Sequence, residues 1–160
     1  MKIYLPTILV VLTDQLSKIW IKNNFNLWES KEILGSFIKF THVKNPGIAF
    51  GLSIGDFGIG VTILSFAATL IIAYIHWNER FNHPLFVTGL ALILGGAIGN
   101  LIDRSSIFFL EHYEGVVDFI DMGIGPTRWY TFNIADSAVT VGIVLYIIHT
   151  IFTHHPELVE

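Results

Sequence analysis

Long apolar runs separated by polar segments dominate the pattern of the chain. Four runs approach the ~20 residues that a helix needs to cross the hydrocarbon core of a bilayer. They cover residues 3–21, 57–77, 84–102 and 134–152. Charged side chains interrupt only the first run, at Asp14 and Lys18, and the fourth, at Asp136. Because a bilayer leaves no backbone polar group unpaired, the runs predict four transmembrane helices. The first run lacks the small-residue exit of a cleaved signal peptide, so we expect it to be retained.

The connections between the runs differ in length. The short "NERFNH" joins the second and third runs and predicts an antiparallel helical hairpin. The long connections contain the β-branched and aromatic segments "ILGSFIKFTHV", "GVVDFI" and "RWYTF", with turns at "NPG" and "GIGPT". With four spans, both long connections lie on one side of the membrane. We therefore predict a single integral membrane domain over residues 1–160. It is an all-α membrane protein whose long-loop side carries a small extramembrane β-rich cap, or cradle, from residues 31–50 and 115–132.

Composition supports the membrane assignment and excludes several functions. Hydrophobic residues make up 52% of the chain and charged residues 14%, whereas soluble domains average about 25% charged. The net charge is −4 without a basic cluster, which argues against nucleic acid as a partner. The absence of cysteine removes disulfides, thiol nucleophiles and thiolate metal sites. We predict no metal and no cofactor. The "GLSIG" segment resembles a hydrolase nucleophile elbow, but no α/β sheet fits around it.

The distribution of positive charge does not determine the orientation of the chain in the membrane. The termini and the short connection carry only Lys2 and Arg80. The long-loop side carries seven cations, namely Lys18, Lys22, Lys31, Lys39, Lys44, Arg104 and Arg128. A simple positive-inside count would place the long loops in the cytoplasm. Several of these cations are close to carboxylates in the sequence, so composition alone leaves the orientation open.

Ionisable residues in the apolar runs collect at the long-loop end, and a functional site is the default interpretation of such residues. The group comprises Asp14, Lys18, Asn100, Asp103, Arg104 and Asp136, with Asp118 and Asp121 in the connection before the fourth run. Simpler roles exist for each. Asp14 and Lys18 form an i,i+4 pair, and Asn133 with Asp136 matches a variant capping box.

Asp118 and Asp136 are the strongest pair of carboxylates for chemistry. Two carboxylates held close together share one proton, and such a pair activates water as a base while its partner acts as an acid. This chemistry predicts hydrolysis of an amide in a membrane-embedded substrate. An ion- or proton-coupled transporter is the alternative, but it would place its carboxylates near the bilayer midplane without a β-rich cap. A purely structural membrane subunit would leave the clustering unexplained.

Five sequence blocks resemble the lipoprotein signal peptidases, the signal peptidase II family. They are "DQLSK" (14–18), "NPGIAFG" (45–51), "GAIGNLIDR" (96–104), "VVDFID" (116–121) and "FNIADS" (132–137). They occur in the order found in the family and span essentially the whole chain. Pro46 after Asn45 is a modest departure from the family pattern, and it removes no side chain that the chemistry needs.

The resemblance implies an aspartic endopeptidase of the bacterial cytoplasmic (inner) membrane, and we expect the protein to be a monomer. Its substrates are lipid-modified prolipoproteins, which it cuts just before the diacylglyceryl-modified Cys. The termini would be cytoplasmic and the site would face the periplasm or exterior, in contact with membrane lipids. Asp118 and Asp136 correspond to the catalytic pair. The supporting positions of the family correspond to Asp14, Lys18, Asn45, Gly47, Asn100, Asp103, Arg104, Asn133 and Ala135.

Overall fold

A computed structural model describes residues 2–46, 57–109 and 115–153 of the chain. Helices cover the four apolar runs: α1 is Leu5–Asn24, α2 is Phe57–Asn78, α3 is Pro84–Ser105 and α4 is Ile134–Thr153. Short 3₁₀ turns, Lys2–Tyr4 and Ser106–Phe108, precede α1 and follow α3. Four strands, β1 Ser30–Leu34, β2 Ile38–Asn45, β3 Val116–Ile124 and β4 Thr127–Arg128, form one sheet in the order β1-β2-β3-β4. The chain is therefore mostly helical with a small sheet, as predicted.

Three helical segments in the described part of the chain are long and apolar enough to cross a membrane. They are Gly58–Asn78, Pro84–Phe108 and Ile134–Phe152. The first predicted span is a helix of 20 residues, but Asp14, Lys18 and Lys22 interrupt it and it is not among these three. Three of the four predicted spans thus meet the requirement on length and composition. That α1 also crosses the membrane remains a prediction.

Helix α3 packs against each of the other three helices, and its glycines set how closely α1 and α4 approach it. A Cβ at Gly96 would collide with the carbonyl oxygen of Ala135 in the first turn of α4. A Cβ at Gly99 would lie 2.7 Å from Oδ2 of Asp14 in α1. Glycines at helix contacts allow backbones to come close together. The small residues of "GGAIG" therefore bring the polar residues of three helices together at one end of the bundle.

The sheet departs from the predicted strands in two places. "ILGSFIKFTHV" was expected as a single strand, but Gly35 adopts a left-handed φ of 52° and divides it into the β1–β2 hairpin. Within the segment "RWYTF", only Arg128 belongs to β4, while Phe132 makes an isolated bridge to Ile120. The chain leaves the sheet after Arg128 because it must turn toward the start of α4 at Ile134.

A buried apolar cluster attaches the sheet to the helices. Ile21 and Phe25, at the end of α1, pack with Val117 and Phe119 of β3. Successive side chains in a strand point to opposite faces. Since Val117 and Phe119 face this cluster, Asp118 between them points to the other face of the strand. The cap thereby positions a carboxylate over the polar ends of the helices.

Candidate active site

A buried ion cluster, which we call the Lys18 cluster, connects α1 to α3. Lys18 is only 1% exposed, and its Nζ lies 2.8 Å from Oδ2 of Asp14 and 2.9 Å from Oδ2 of Asp103. The same Nζ donates to Oδ1 of Asn100 at 3.0 Å. A buried charge requires partners and satisfied hydrogen bonds. The ammonium uses all three of its donors here, so the predicted i,i+4 pair extends into a network between two helices.

Asp14 also connects α1 to the start of α4. Its Oδ1 accepts a hydrogen bond from the backbone N–H of Ala135 at 2.9 Å, and both residues are fully buried. The first N–H groups of a helix have no partner within that helix. Asp14 therefore satisfies one such group from a neighbouring helix, which accounts for the location of Ala135 among the site residues.

Asn133 and Asp136 form a reciprocal capping box at the start of α4. The backbone N–H of Asp136 donates to Oδ1 of Asn133 at 2.9 Å, and the backbone N–H of Asn133 donates to Oδ2 of Asp136 at 3.2 Å. The capping role considered for this N-x-x-D sequence is thus present. It leaves Oδ1 of Asp136 available to Asn100, whose Nδ2 donates to it at 2.7 Å.

Asp118 lies beside the same asparagine. Nδ2 of Asn133 donates to Oδ1 of Asp118 at 2.7 Å, and Nδ2 of Asn45 donates to Oδ2 at 2.8 Å. Asn133 consequently contacts both carboxylates, one through its side chain and the other through its backbone. Within the described residues, the recorded partners of both carboxylates are N–H groups without charge. We call Asp118 and Asp136 with Asn133 the dyad site.

Burial has a large effect on Asp118, which is 2% exposed. Desolvation raises the pKa of the Asp118 carboxyl to about 6. The hydrogen bond from Asn45 lowers this pKa, whereas the nearby charge of Asp136 raises it, as burial does. Hydrogen bonding from Asn133 and the charge of Lys18 partly oppose the shift. Perturbed carboxyl groups of this kind are typical of general acids and bases. Asp118 is therefore the carboxyl of the dyad site that burial favours in the protonated form.

The remaining predicted site residues have varied surroundings. Asp103 accepts a hydrogen bond from the backbone N–H of Val117 at 3.3 Å and pairs with Lys18. Arg104 keeps a buried Nε with no hydrogen-bond partner in the described part of the chain. Gly47 lies outside the described residues, as does the "GLSIG" segment.

Gln15 belongs to this network and was not singled out from the sequence. Its Nε2 donates to the backbone oxygen of Gly99 at 3.0 Å and to Oδ2 of Asp14 at 3.1 Å. An amide inside an apolar helical run was the available signal, because polar side chains in such runs usually bond across helices. The functional interpretation of this segment was based on Asp14 and Lys18 instead.

Comparison with known proteins assigns the chain to a family. The signal peptidase (SPase) II family model matches residues 6–152. A lipoprotein signal peptidase of Lactobacillus johnsonii is 39% identical over 146 residues, which cover 91% of this chain and 89% of that protein. One from Moorella thermoacetica is 40% identical over 145 residues, with the same coverage of 91% and 89%.

A solved structure described as a bacterial membrane enzyme, obtained by the in meso method at 2.3 Å, superposes with a TM-score of 0.78. The two sequences are 29% identical, and the match covers 99% of this chain and 93% of that one. Fold and site together define a multi-pass membrane protein with an acidic site at one end of its helices. The chain belongs to the signal peptidase II family, the peptidases that cleave lipoprotein signal peptides.

Proposed function

We propose that this protein is an aspartic endopeptidase that removes the signal peptide from diacylglyceryl-modified prolipoproteins just before the lipidated Cys. Asp118 and Asp136 are the catalytic residues. The observation that carries the proposal is that Asn133 holds both carboxylates by hydrogen bonds of 2.7 and 3.2 Å, with uncharged donors at each of them. Two carboxylates held by one residue without a neutralising cation share a proton more readily than they both ionise.

The mechanism uses the two protonation states of the pair. The ionised carboxylate removes a proton from a water molecule, which attacks the carbonyl carbon of the scissile amide. The protonated carboxyl donates its proton to the carbonyl oxygen as the tetrahedral intermediate forms. When the C–N bond breaks, the proton taken from water passes to the leaving amine, and the other returns from the oxygen to the pair. One water is consumed and the dyad regains its starting state.

The location of the carboxylates favours this reaction over proton transport. A transporter would be expected to place them near the middle of its helices. Asp136 lies in the first turn of α4, and Asp118 lies in a strand of the cap. Both are at the level where a signal peptide leaves the bilayer and where water is available for hydrolysis.

Arg104 provides a donor for the substrate. Its Nε is buried and lacks a partner among the described residues, and a guanidinium carries only donors. An unsatisfied buried donor is costly. We assign Arg104 to the substrate-binding surface, together with Asn45 and Gly47, by their correspondence to the family positions.

We propose four spans in a single domain, with α1 as the fourth. Its buried positions recur with helical spacing at Thr7, Val10, Asp14, Lys18 and Ile21. Its other faces carry apolar residues that are about half exposed, including Leu5, Ile8, Leu12, Leu16 and Ile19. Asp14 and Lys18 are thus paired inside the bundle, and Lys22 lies in the last turn of α1, while leucine and isoleucine face lipid.

Ion pairs bear on the count of positive charges, which opposes the membrane orientation implied by the family resemblance. Of the seven cations on the long-loop side, Lys18, Lys31, Lys39 and Arg128 are paired with carboxylates. Such residues serve local structure and are poor guides to topology. We therefore place the termini in the cytoplasm and the site on the periplasmic or exterior face of the bacterial inner membrane. The protein is proposed to act as a monomer in contact with membrane lipids.

Separate Asp118→Asn and Asp136→Asn variants test the proposed function. We expect each to fold and to lose at least ~100-fold of the cleavage rate on a lipidated precursor peptide, since general acid–base groups contribute this much or more. Asp121→Asn is the matched control, because Asp121 lies three residues further along β3 and pairs with Arg128 at 2.9 Å. Near wild-type cleavage by either dyad variant would disprove the assignment.

A further inference from the structure

The amide of Asn100 lies between the Lys18 cluster and the dyad site. Its Oδ1 accepts from Nζ of Lys18 at 3.0 Å and from Nδ2 of Asn133 at 3.0 Å. Its Nδ2 donates to Oδ1 of Asp136 at 2.7 Å. A lysine ammonium can only donate, so it requires an oxygen opposite it. Together with Nδ2 of Asn133, the cation therefore holds the oxygen of the amide away from the carboxylate and turns the NH₂ group toward it.

We propose that Lys18 is a positioning residue for catalysis: by orienting the Asn100 amide, it keeps Asp136 as the ionised base of the pair and leaves the proton on Asp118. This inference rests on the proposed function and assigns the roles within the dyad. If the amide turned over, its oxygen would face the carboxylate of Asp136. Only a protonated Asp136 could then form a hydrogen bond to it.

The surroundings of the two carboxylates differ in the direction that this assignment requires. Asp136 accepts N–H groups on both oxygens and lies in the first turn of a helix of 20 residues. The N-terminus of a helix stabilises negative charge. Asp118 also accepts two N–H groups, but it lies in a strand and is 2% exposed. Burial without a helix terminus favours the neutral form.

The balance of charges around Asn100 supports a proton that is retained by the dyad site. The described charged groups that face it or its immediate partners are Lys18 and Asp14 from α1, Asp103 from α3, Asp118 from β3 and Asp136 from α4. A single ammonium among four carboxylates leaves an excess of negative charge. Asp14 and Asp103 contact the ammonium directly, so the proton that relieves this excess is expected at the dyad.

Lys18→Met tests the inference through the pH dependence of kcat on a lipidated precursor peptide. The acidic limb of the profile is the pH range in which kcat falls as the pH decreases. Loss of the orienting cation should move this limb upward by about 1 pH unit. At a pH below the limb, kcat of the variant should then be about tenfold lower than that of the wild type. KM should change little, because no substrate contact is removed. Lys18→Arg retains a donor-only cation and should return the limb toward its wild-type position.

Thr7→Val is the matched control for packing between α1 and α3. Thr7 is buried and donates from Oγ1 to the backbone oxygen of Ala91 at 2.9 Å. It lies about 16 Å along the helix from Lys18, at 1.5 Å per residue. This variant should lower the melting temperature without moving the acidic limb. If Lys18→Met also lowered only the melting temperature, Lys18 would be a structural brace and the inference would be wrong.

A measurement on the wild-type protein keeps the inference testable should Lys18→Met fail to fold. Carbonyl-labelled aspartate allows ¹³C NMR of the side-chain carboxyl groups in detergent, with assignments from Asp118→Asn and Asp136→Asn. We expect Asp118 to take up a proton at a higher pH than Asp136. The reverse order would overturn the inference while leaving the dyad intact. Failure of the proposed function itself would appear separately, as retained cleavage in the two Asn variants.

Discussion

The Lys18 cluster and the dyad site each hold two carboxylates at the same end of the bundle, yet their surroundings differ. In the Lys18 cluster, a buried ammonium lies 2.8 and 2.9 Å from the carboxylates of Asp14 and Asp103. In the dyad site, the recorded donors to Asp118 and Asp136 are amides. A cation offsets part of the negative charge of the first pair. The amides at the second pair carry no charge, and we propose that this pair holds a proton instead.

This difference separates carboxylates that contact a cation directly from carboxylates that are held by uncharged donors. In the Lys18 cluster the ammonium contacts both carboxylates, so loss of any of the three groups should reduce stability. A pair that carries a proton close to neutral pH can transfer it to a substrate. We therefore expect changes in the Lys18 cluster to lower stability and, through Asn100, to shift the pH dependence of cleavage, whereas changes in the dyad site should lower the cleavage rate itself.

The largest expected effect comes from Asp14→Ala in the Lys18 cluster. Lys18 would keep Asp103 as its ion-pair partner, but one donor of Lys18 and the N–H of Ala135 would lose their acceptor. Each buried donor left unsatisfied costs roughly 1–3 kcal/mol. We expect a clearly lower melting temperature in detergent. Asp14→Asn should recover part of the loss, because its amide oxygen can still accept from Ala135. An unchanged melting temperature for Asp14→Ala would remove the distinction between the two clusters.

The stability of the dyad site should depend on pH through Asp118. Its folded pKa of about 6 exceeds the ordinary value of 3.8, so the folded state binds the proton more tightly than the unfolded state does. The wild-type protein should therefore gain stability relative to Asp118→Asn as the pH falls from 6 to 4. The gain is at most about 3 kcal/mol by linkage. A melting-temperature difference that stays constant over this range would contradict it.

Substitution of Asn133 separates its cap from its contact with the dyad. Ser retains a side-chain acceptor for the N–H of Asp136 but cannot supply the amide donor to Asp118. We expect Asn133→Ser to lower kcat about 100-fold. Asn133→Ala should lower kcat to the same extent and cost about 1 kcal/mol more in stability through loss of the cap. Equal melting temperatures for the two variants would show that the cap contributes little.

The smallest expected effect is at Asn45, which donates to Asp118 from the edge of the site at 2.8 Å. This hydrogen bond lowers the pKa of Asp118, so Asn45→Ala should raise it. The basic limb of kcat/KM should move upward by less than about 1 pH unit. Thr41→Val, on the same strand but bonded to Asp121, is the control and should leave the limb in place. A downward shift for Asn45→Ala would contradict the assignment of Asp118 as the acid.

Much of this arrangement was predictable because hydropathy and periodicity are local signals. The four apolar runs predicted helices that begin and end within three residues of those found. Alternating directions then placed Asp14, Lys18, Asp103 and Asp136 at one end, and the structure brings them into one network. The capping interaction between Asn133 and Asp136 was also readable, since it depends on residues three apart.

Other features required the three-dimensional contacts. Nothing local shows that Asp103 faces Lys18 while Arg104 has no partner in the described part, because that choice depends on the rotation of α3 against α1. The division of "ILGSFIKFTHV" depends on the positive φ of Gly35, whereas the residues on either side favour a continuous strand. The bridging role of Asn100 likewise becomes visible only when α1, α3 and α4 lie together.

The close contact of Gly96 with Ala135 has a consequence for biosynthesis. Asp118 is translated before α4, but Asp136 and its cap can reach the site only when α4 lies against the glycines of α3. A partly synthesised chain would thus contain the proposed acid without the proposed base. By the proposed mechanism, the protein would become active only once α4 has inserted against α3.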